Sequence, residues 1–110
     1  MNIKITGSGS YIPSNIVSNH DFANHTFLNE DGSPFAMPNN VITEKFYGIT
    51  GIQERRYASN DLTTSYMGFL AAQKAIENAA INPETLDYII FAHNFGNVTK
   101  DAIQTDILPS

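Results

Sequence analysis

Few stretches of this 110-residue chain combine residue types that could do chemistry. The first is His93-Asn94-Phe95-Gly96-Asn97, which follows the apolar run Asp87-Tyr88-Ile89-Ile90-Phe91-Ala92. A near-continuous β-branched and aromatic run reads as a strand buried on both faces, as in a parallel sheet between helices. Ligands gather at the carboxyl ends of such strands, which places His93, Asn94 and Phe95 at a candidate site. The second is Gln53-Glu54-Arg55-Arg56, the densest charged patch. If extended, it puts Glu54 and Arg56 on one face, as a structural ion pair or with an arginine offered to a phosphate. The third is Gly7-Ser8-Gly9. It invites a phosphate-loop reading, but no third glycine follows, and Ile12-Pro13 stands where a helix should start. It reads instead as a backbone bend or a point of close packing. His20 and His25 lie five apart with no companion ligands at metal spacing, so no metal site is assigned and no cofactor is expected.

Composition narrows the function classes. A net charge of -5 argues against nucleic acid, which needs a clustered basic face. The absence of cysteine rules out a disulfide framework, a thiolate metal site and a cysteine nucleophile within these residues. Charged residues make up only 15% against 42% hydrophobic, so much of the surface is expected to be covered by more chain or by a partner. No run resembles a signal peptide or a membrane span, and a soluble cytoplasmic protein is the expectation.

The elements that would position these groups follow in order. Ile3 and Ile5 lead into the glycines as a first strand. Ser18-Asn19 followed by Asp21 and Phe22 reads as the N-cap and acidic first turn of a short helix over about 20–25. Residues 26–40 form a loop with a tight turn at Asp31-Gly32, where Phe27-Leu28 can face Phe35-Met37. Val41 to Tyr47 permits two helical turns, with Gly48 as the stop. The strongest helix spans about 62–80, capped by Asp61 or Thr63. One face carries Leu62, Tyr66, Phe69, Leu70 and Ile76, and the other Gly68, Ala71, Ala72, Ala75 and Ala79. Such a helix is expected to be buried, packed on more than one side as a central layer. Asp101 to Leu108 opens another helical pattern without a closing cap. The 110 residues are therefore expected to be one incomplete domain, the N-terminal part of something larger.

In this order the segments resemble β-ketoacyl-acyl-carrier-protein synthase III of the thiolase-like condensing-enzyme superfamily. The residues carrying the resemblance are Ile5-Thr6-Gly7-Ser8-Gly9-Ser10-Tyr11-Ile12-Pro13, and Thr50-Gly51-Ile52-Gln53-Glu54-Arg55, similar to the family's "TGIxER" segment. Met67-Gly68-Phe69 with Ala71-Ala72, and Leu86 through Ala92, complete the set. The resemblance implies an α/β fold of the thiolase-like kind, five alternating αβαβα layers in the full-length protein, with a mixed or parallel sheet and a buried central helix. It also implies a homodimer and a decarboxylative Claisen condensation of an acyl thioester with malonyl-carrier protein, in fatty acid or related biosynthesis. That chemistry uses a cysteine thiolate with His and Asn partners, none of which maps onto these residues. Members that use coenzyme A place a tryptophan and an arginine around the adenine just before "TGIxER", where this chain has Lys45 and Ile49. The implied partner is therefore acyl-carrier protein with its acyl and malonyl thioesters, with coenzyme A in doubt. The substrate-contacting set is Lys45, Arg55, His93, Asn94 and Phe95, the last three beside a pocket or dimer seam. The alternatives are a non-catalytic partner subunit of the same fold and a free-standing small α/β binding domain.

Overall fold

A computed structural model describes residues 1–94 and 96–97. Phe95 and the helical pattern at 101–108 lie outside the described residues. The described residues divide into two compact units: Pro13–Tyr57, and Met1–Ile12 together with those from Ala58 onward.

In the Pro13–Tyr57 unit, strand β1 (Asn15–Ser18) pairs antiparallel with β2 (Glu54–Tyr57), with Val17 opposite Arg55 and Asn15 opposite Tyr57. Alternation therefore puts Arg55 and Tyr57 on one face and Glu54 and Arg56 on the other. The chain leaves β1 in a single 3-10 turn, Asn19–Phe22. Asp21 accepts from the Ser18 backbone N–H at 2.6 Å and from its hydroxyl at 2.9 Å, the N3-carboxylate half of a capping box. The expected longer helix stops there. Asn39 instead donates to the carbonyls of Phe22, Ala23 and His25, gathering the chain after the turn onto the next element.

The turn at Asp31-Gly32 forms as expected. Gly32 takes φ 82°, Leu28 bridges Pro34, and the Phe35 N–H donates to the Phe27 carbonyl at 2.8 Å. Helix α1 spans Asn39–Thr50, longer than the expected two turns, because Gly48 stays helical. The stop is Gly51, at φ 68°, whose N–H reaches the Tyr47 carbonyl at 2.7 Å. Only glycine enters that left-handed cap at little steric cost. Ile42 of α1, 2% exposed, is the fully buried hydrophobic side chain among the described residues. In the same unit Phe27 makes ring contacts with Phe22, His25, Phe35 and Phe46, so the loop aromatics pin the loop to its own unit.

The other unit is built on α2 (Thr64–Ala79). Thr63 caps it by accepting from the Tyr66 N–H at 3.3 Å, and Ala80 closes it in the left-handed region at φ 52°. Its small-residue side receives the opening segment. A Cβ on Gly7 would lie 2.6 Å from the Ala75 carbonyl oxygen, and one on Gly9 2.4 Å from that of Ala71. Ser8 is tied by its N–H to Asn78 Oδ1 at 3.1 Å. The Gly-x-Gly thus serves close packing of backbone on helix.

Two expectations change here. Among the described residues the sheet is the antiparallel β1–β2 pair, not a parallel or mixed one. Segments 3–5 and 87–92 form no strand, and Ile89 and Ile90 are 85% and 95% exposed. A doubly buried strand needs a ladder on each edge and a layer on each face. In this unit Phe91 of that segment lies against Gly68 of α2. Likewise α2 contains no buried residue, because its Tyr66 and Phe69 face is uncovered.

Candidate functional site

The most organised polar centre forms where β1 hands over to the 3-10 turn. The Asn19 side-chain amide donates to the Ile52 carbonyl at 2.8 Å, while its backbone N–H donates to the Gln53 carbonyl at 3.0 Å. With its NH2 group so occupied, Asn19 turns Oδ1 toward β2, where the Arg55 guanidinium donates to it at 2.5 Å. Arg55 also lies 5.0 Å above the Phe22 ring centroid, a cation–π distance. The half-buried guanidinium is therefore fixed by one amide and one aromatic face.

Three shallow hollows open around this centre, all within the Pro13–Tyr57 unit. One of about 180 Å³ is lined by Asn19, Phe22, Phe27, Thr43, Phe46, Arg55 and Tyr57. A second of about 290 Å³ includes His20, Glu44, Tyr47 and Gln53. A third of about 350 Å³ includes Ala23, Pro38, Asn39 and Asn40. Asn19 and Thr43 line all three. Lys45 lines none of these: it is exposed on α1, its Nζ 3.3 Å from Met37 Sδ. Lys45 and Ile49 lie one turn apart on one face of α1, and Ile49 is 82% exposed.

His93 and Asn94 belong to the other unit. His93 is half-buried, its ring 5.8 Å from that of Phe91, and its Nδ1 accepts the Gly96 N–H at 2.8 Å. That contact makes His93 a local turn brace. Asn94 is exposed, and Phe95 is outside the described residues. Asn97, which sequence reasoning passed over, accepts the Ser65 N–H at 2.9 Å and donates to the Ser65 hydroxyl at 2.9 Å. It thereby supplies the first turn of α2 with a partner that Thr63 does not. Asn39 was also passed over, and Asn19 was read only with Ser18 as part of a helix cap. Short amides carry no periodic signal, although their habit of bonding nearby backbone makes each a candidate wherever a helix begins.

Comparison with known proteins places this geometry in context. No protein-family profile matches the chain. It is 38% identical over 92 residues to β-ketoacyl-[acyl-carrier-protein] synthase III from Haemophilus influenzae strains PittGG and KW20/Rd, and the match takes in 84% of this chain. The chain is similar to β-ketoacyl-acyl-carrier-protein synthase III. A solved structure agrees: 3-oxoacyl-[acyl-carrier-protein] synthase III from Aquifex aeolicus VF5 matches with a TM-score of 0.55 and 34% identity over 76% of this chain. The chain spans about a quarter of the length of these synthase III relatives, 25% of the Haemophilus proteins and 23% of the Aquifex chain. The small α/β piece seen here has a structural neighbour in the synthase III fold. Among the described residues, no helix is long and apolar enough to cross a membrane.

Proposed function

We propose that this chain is the N-terminal part of a synthase III-like enzyme that condenses an acyl thioester with malonyl-carrier protein, releasing carbon dioxide. The observation that carries this reading is 38% identity across 84% of the chain, matched by a structural neighbour of the same name. In the whole protein the exposed 87–92 segment and the opening residues become strands of a layered αβαβα core, and the Tyr66–Phe69 side of α2 is covered. The exposure of Ile89 and Ile90 weighs against a free-standing domain, since apolar runs of that length are costly in water. The whole enzyme is a cytoplasmic homodimer. These 110 residues hold no cysteine and are inactive alone, because the acyl group needs a thiolate to receive it.

Substrate is met by Lys45, Arg55, His93, Asn94 and Phe95, as pocket wall or entrance. At Lys45 and Ile49, α1 lacks the tryptophan and arginine that coenzyme-A-using members place around the adenine, which favours an acyl group delivered on carrier protein over coenzyme A. The same loss favours, as a second reading, a non-catalytic subunit that shapes a heterodimer. The reading frame after Ser110 separates the two: a catalyst carries a cysteine at a helix start within the next few dozen residues, and a His and an Asn later. Intact-protein mass spectrometry of the product of that longer frame, offered acyl-carrier protein or acyl-coenzyme A, should show an acyl adduct from the carrier. An adduct from neither donor would refute the enzyme reading.

A further inference from the structure

The 180 Å³ hollow around Arg55 has a composition that sets it apart from the rest of the chain. The sequence holds eleven acidic and six basic residues, yet this lining contains one arginine and no carboxylate. Four aromatic side chains, Phe22, Phe27, Phe46 and Tyr57, make most of the wall, with Asn19 and Thr43 at the polar side. The guanidinium is held before anything binds. Phe22 supports one face at 5.0 Å, and Asn19, itself anchored on the Ile52 carbonyl, takes one N–H. A guanidinium carries five donors in a planar fork. Among the described residues, Asn19 is the hydrogen-bonding partner of the Arg55 side chain, so donors remain for a ligand. Thr43 has turned its hydroxyl proton to the Asn40 carbonyl at 3.1 Å, leaving its oxygen as an acceptor.

We propose that this hollow is a binding site for a small planar carboxylate, its ring or chain against Phe27 and Phe46 and its carboxylate on the fork of Arg55. A carboxylate takes two parallel N–H bonds from a guanidinium, and no carboxylate in the lining competes for them. The volume sets the size. It falls below the roughly 300–1,000 Å³ of sites for drug-sized ligands, which suits a single ring or a short acyl chain. Tetrahedral phosphate would match the charge but leave the aromatic wall unused. Every lining residue belongs to the Pro13–Tyr57 unit; the condensation reading also counts Arg55 among its substrate contacts, but carboxylate binding here is read without any acyl transfer.

The test is an amide-shift NMR titration of the 110-residue chain with sodium benzoate, benzamide and inorganic phosphate in parallel. Benzoate should give saturable shifts centred on Asn19, Thr43, Phe46, Arg55 and Tyr57. Benzamide, the same shape without charge, should bind about tenfold more weakly or worse. Arg55→Lys keeps the charge but loses the fork and should weaken benzoate severalfold, whereas Arg55→Gln should abolish saturation. If either variant fails to fold, the benzoate–benzamide comparison on the unsubstituted chain still decides. Non-saturable shifts, equal binding of benzamide, or phosphate binding as tightly as benzoate would each overturn the proposal.

Discussion

Replacing Gly9 by alanine should destabilise the unit built on α2, while the same change at Gly48 should stabilise the other unit. At Gly9 the new Cβ would sit 2.4 Å from both the Ala71 carbonyl oxygen and the Ala75 nitrogen, and 2.9 Å from the Lys74 carbonyl carbon. Ordinary contact begins near 3.4 Å, so the opening segment must withdraw by about 1 Å, the difference between 3.4 and 2.4. All three atoms are helix backbone, which cannot swing aside as a side chain would. Overpacking of this kind costs about 1–3 kcal/mol. The reduced freedom of the unfolded chain returns about 0.4–1 kcal/mol, and the steric loss wins. At Gly48 nothing lies within 4 Å and the residue is inside α1, so alanine should add about 0.5–1 kcal/mol. Urea unfolding followed by far-ultraviolet circular dichroism reads both midpoints, and hydrogen exchange at the α2 amides assigns the Gly9 effect to its helix. An alanine at position 9 that leaves the midpoint unchanged or raised, with α2 protection intact, would refute the close-approach reasoning.

Ala80 closes α2 at φ 52°, a region that costs an L-residue about 1–2 kcal/mol. Ala80→Gly should therefore raise the melting midpoint, and a fall would show that the cap is held by other contacts. Ile42→Ala removes the buried side chain of the Pro13–Tyr57 unit and should cost about 2 kcal/mol or more in urea unfolding. Backbone and hydroxyl hydrogen bonds from Ser18 hold the Asp21 carboxyl below its ordinary value of 3.8, although the group is solvent-exposed. Because the folded value is the lower one, the stabilisation is fully present above the unfolded value and is lost as pH falls through the folded one. Asp21→Asn should thus lower the melting temperature at neutral pH, with the difference from the parent shrinking below about pH 3.8. A difference that persists unchanged at pH 2 would contradict this.

What the sequence determined by itself was local. The extent of α2 follows from its 3.6-residue periodicity and the Thr63 cap. The turn at Asp31-Gly32 follows from glycine at a positive φ, and the helical turn after Ser18 from the cap residues Ser18-Asn19 with acidic Asp21 behind them. Each depends on residues a few positions apart, so the linear order contains the cause. The family was legible for a related reason: its motif segments keep their order and spacing, and the relatives bear the resemblance out.

Only the tertiary structure decided which glycine ends α1, because Gly48 and Gly51 are equally permissive and the choice falls to the path into β2. It decided that Gly7 and Gly9 meet a helix rather than a ligand, since their partners Ala71 and Ala75 lie more than sixty positions away. It decided that Arg55 faces Asn19 and Phe22, a consequence of the β1–β2 register that no charge count reveals. The 87–92 run shows the limit most sharply. Its residues carry the composition of a buried strand, yet Ile89 and Ile90 stand in solvent. Burial belongs to the neighbours that cover a residue, and a strand's composition states only that it needs them.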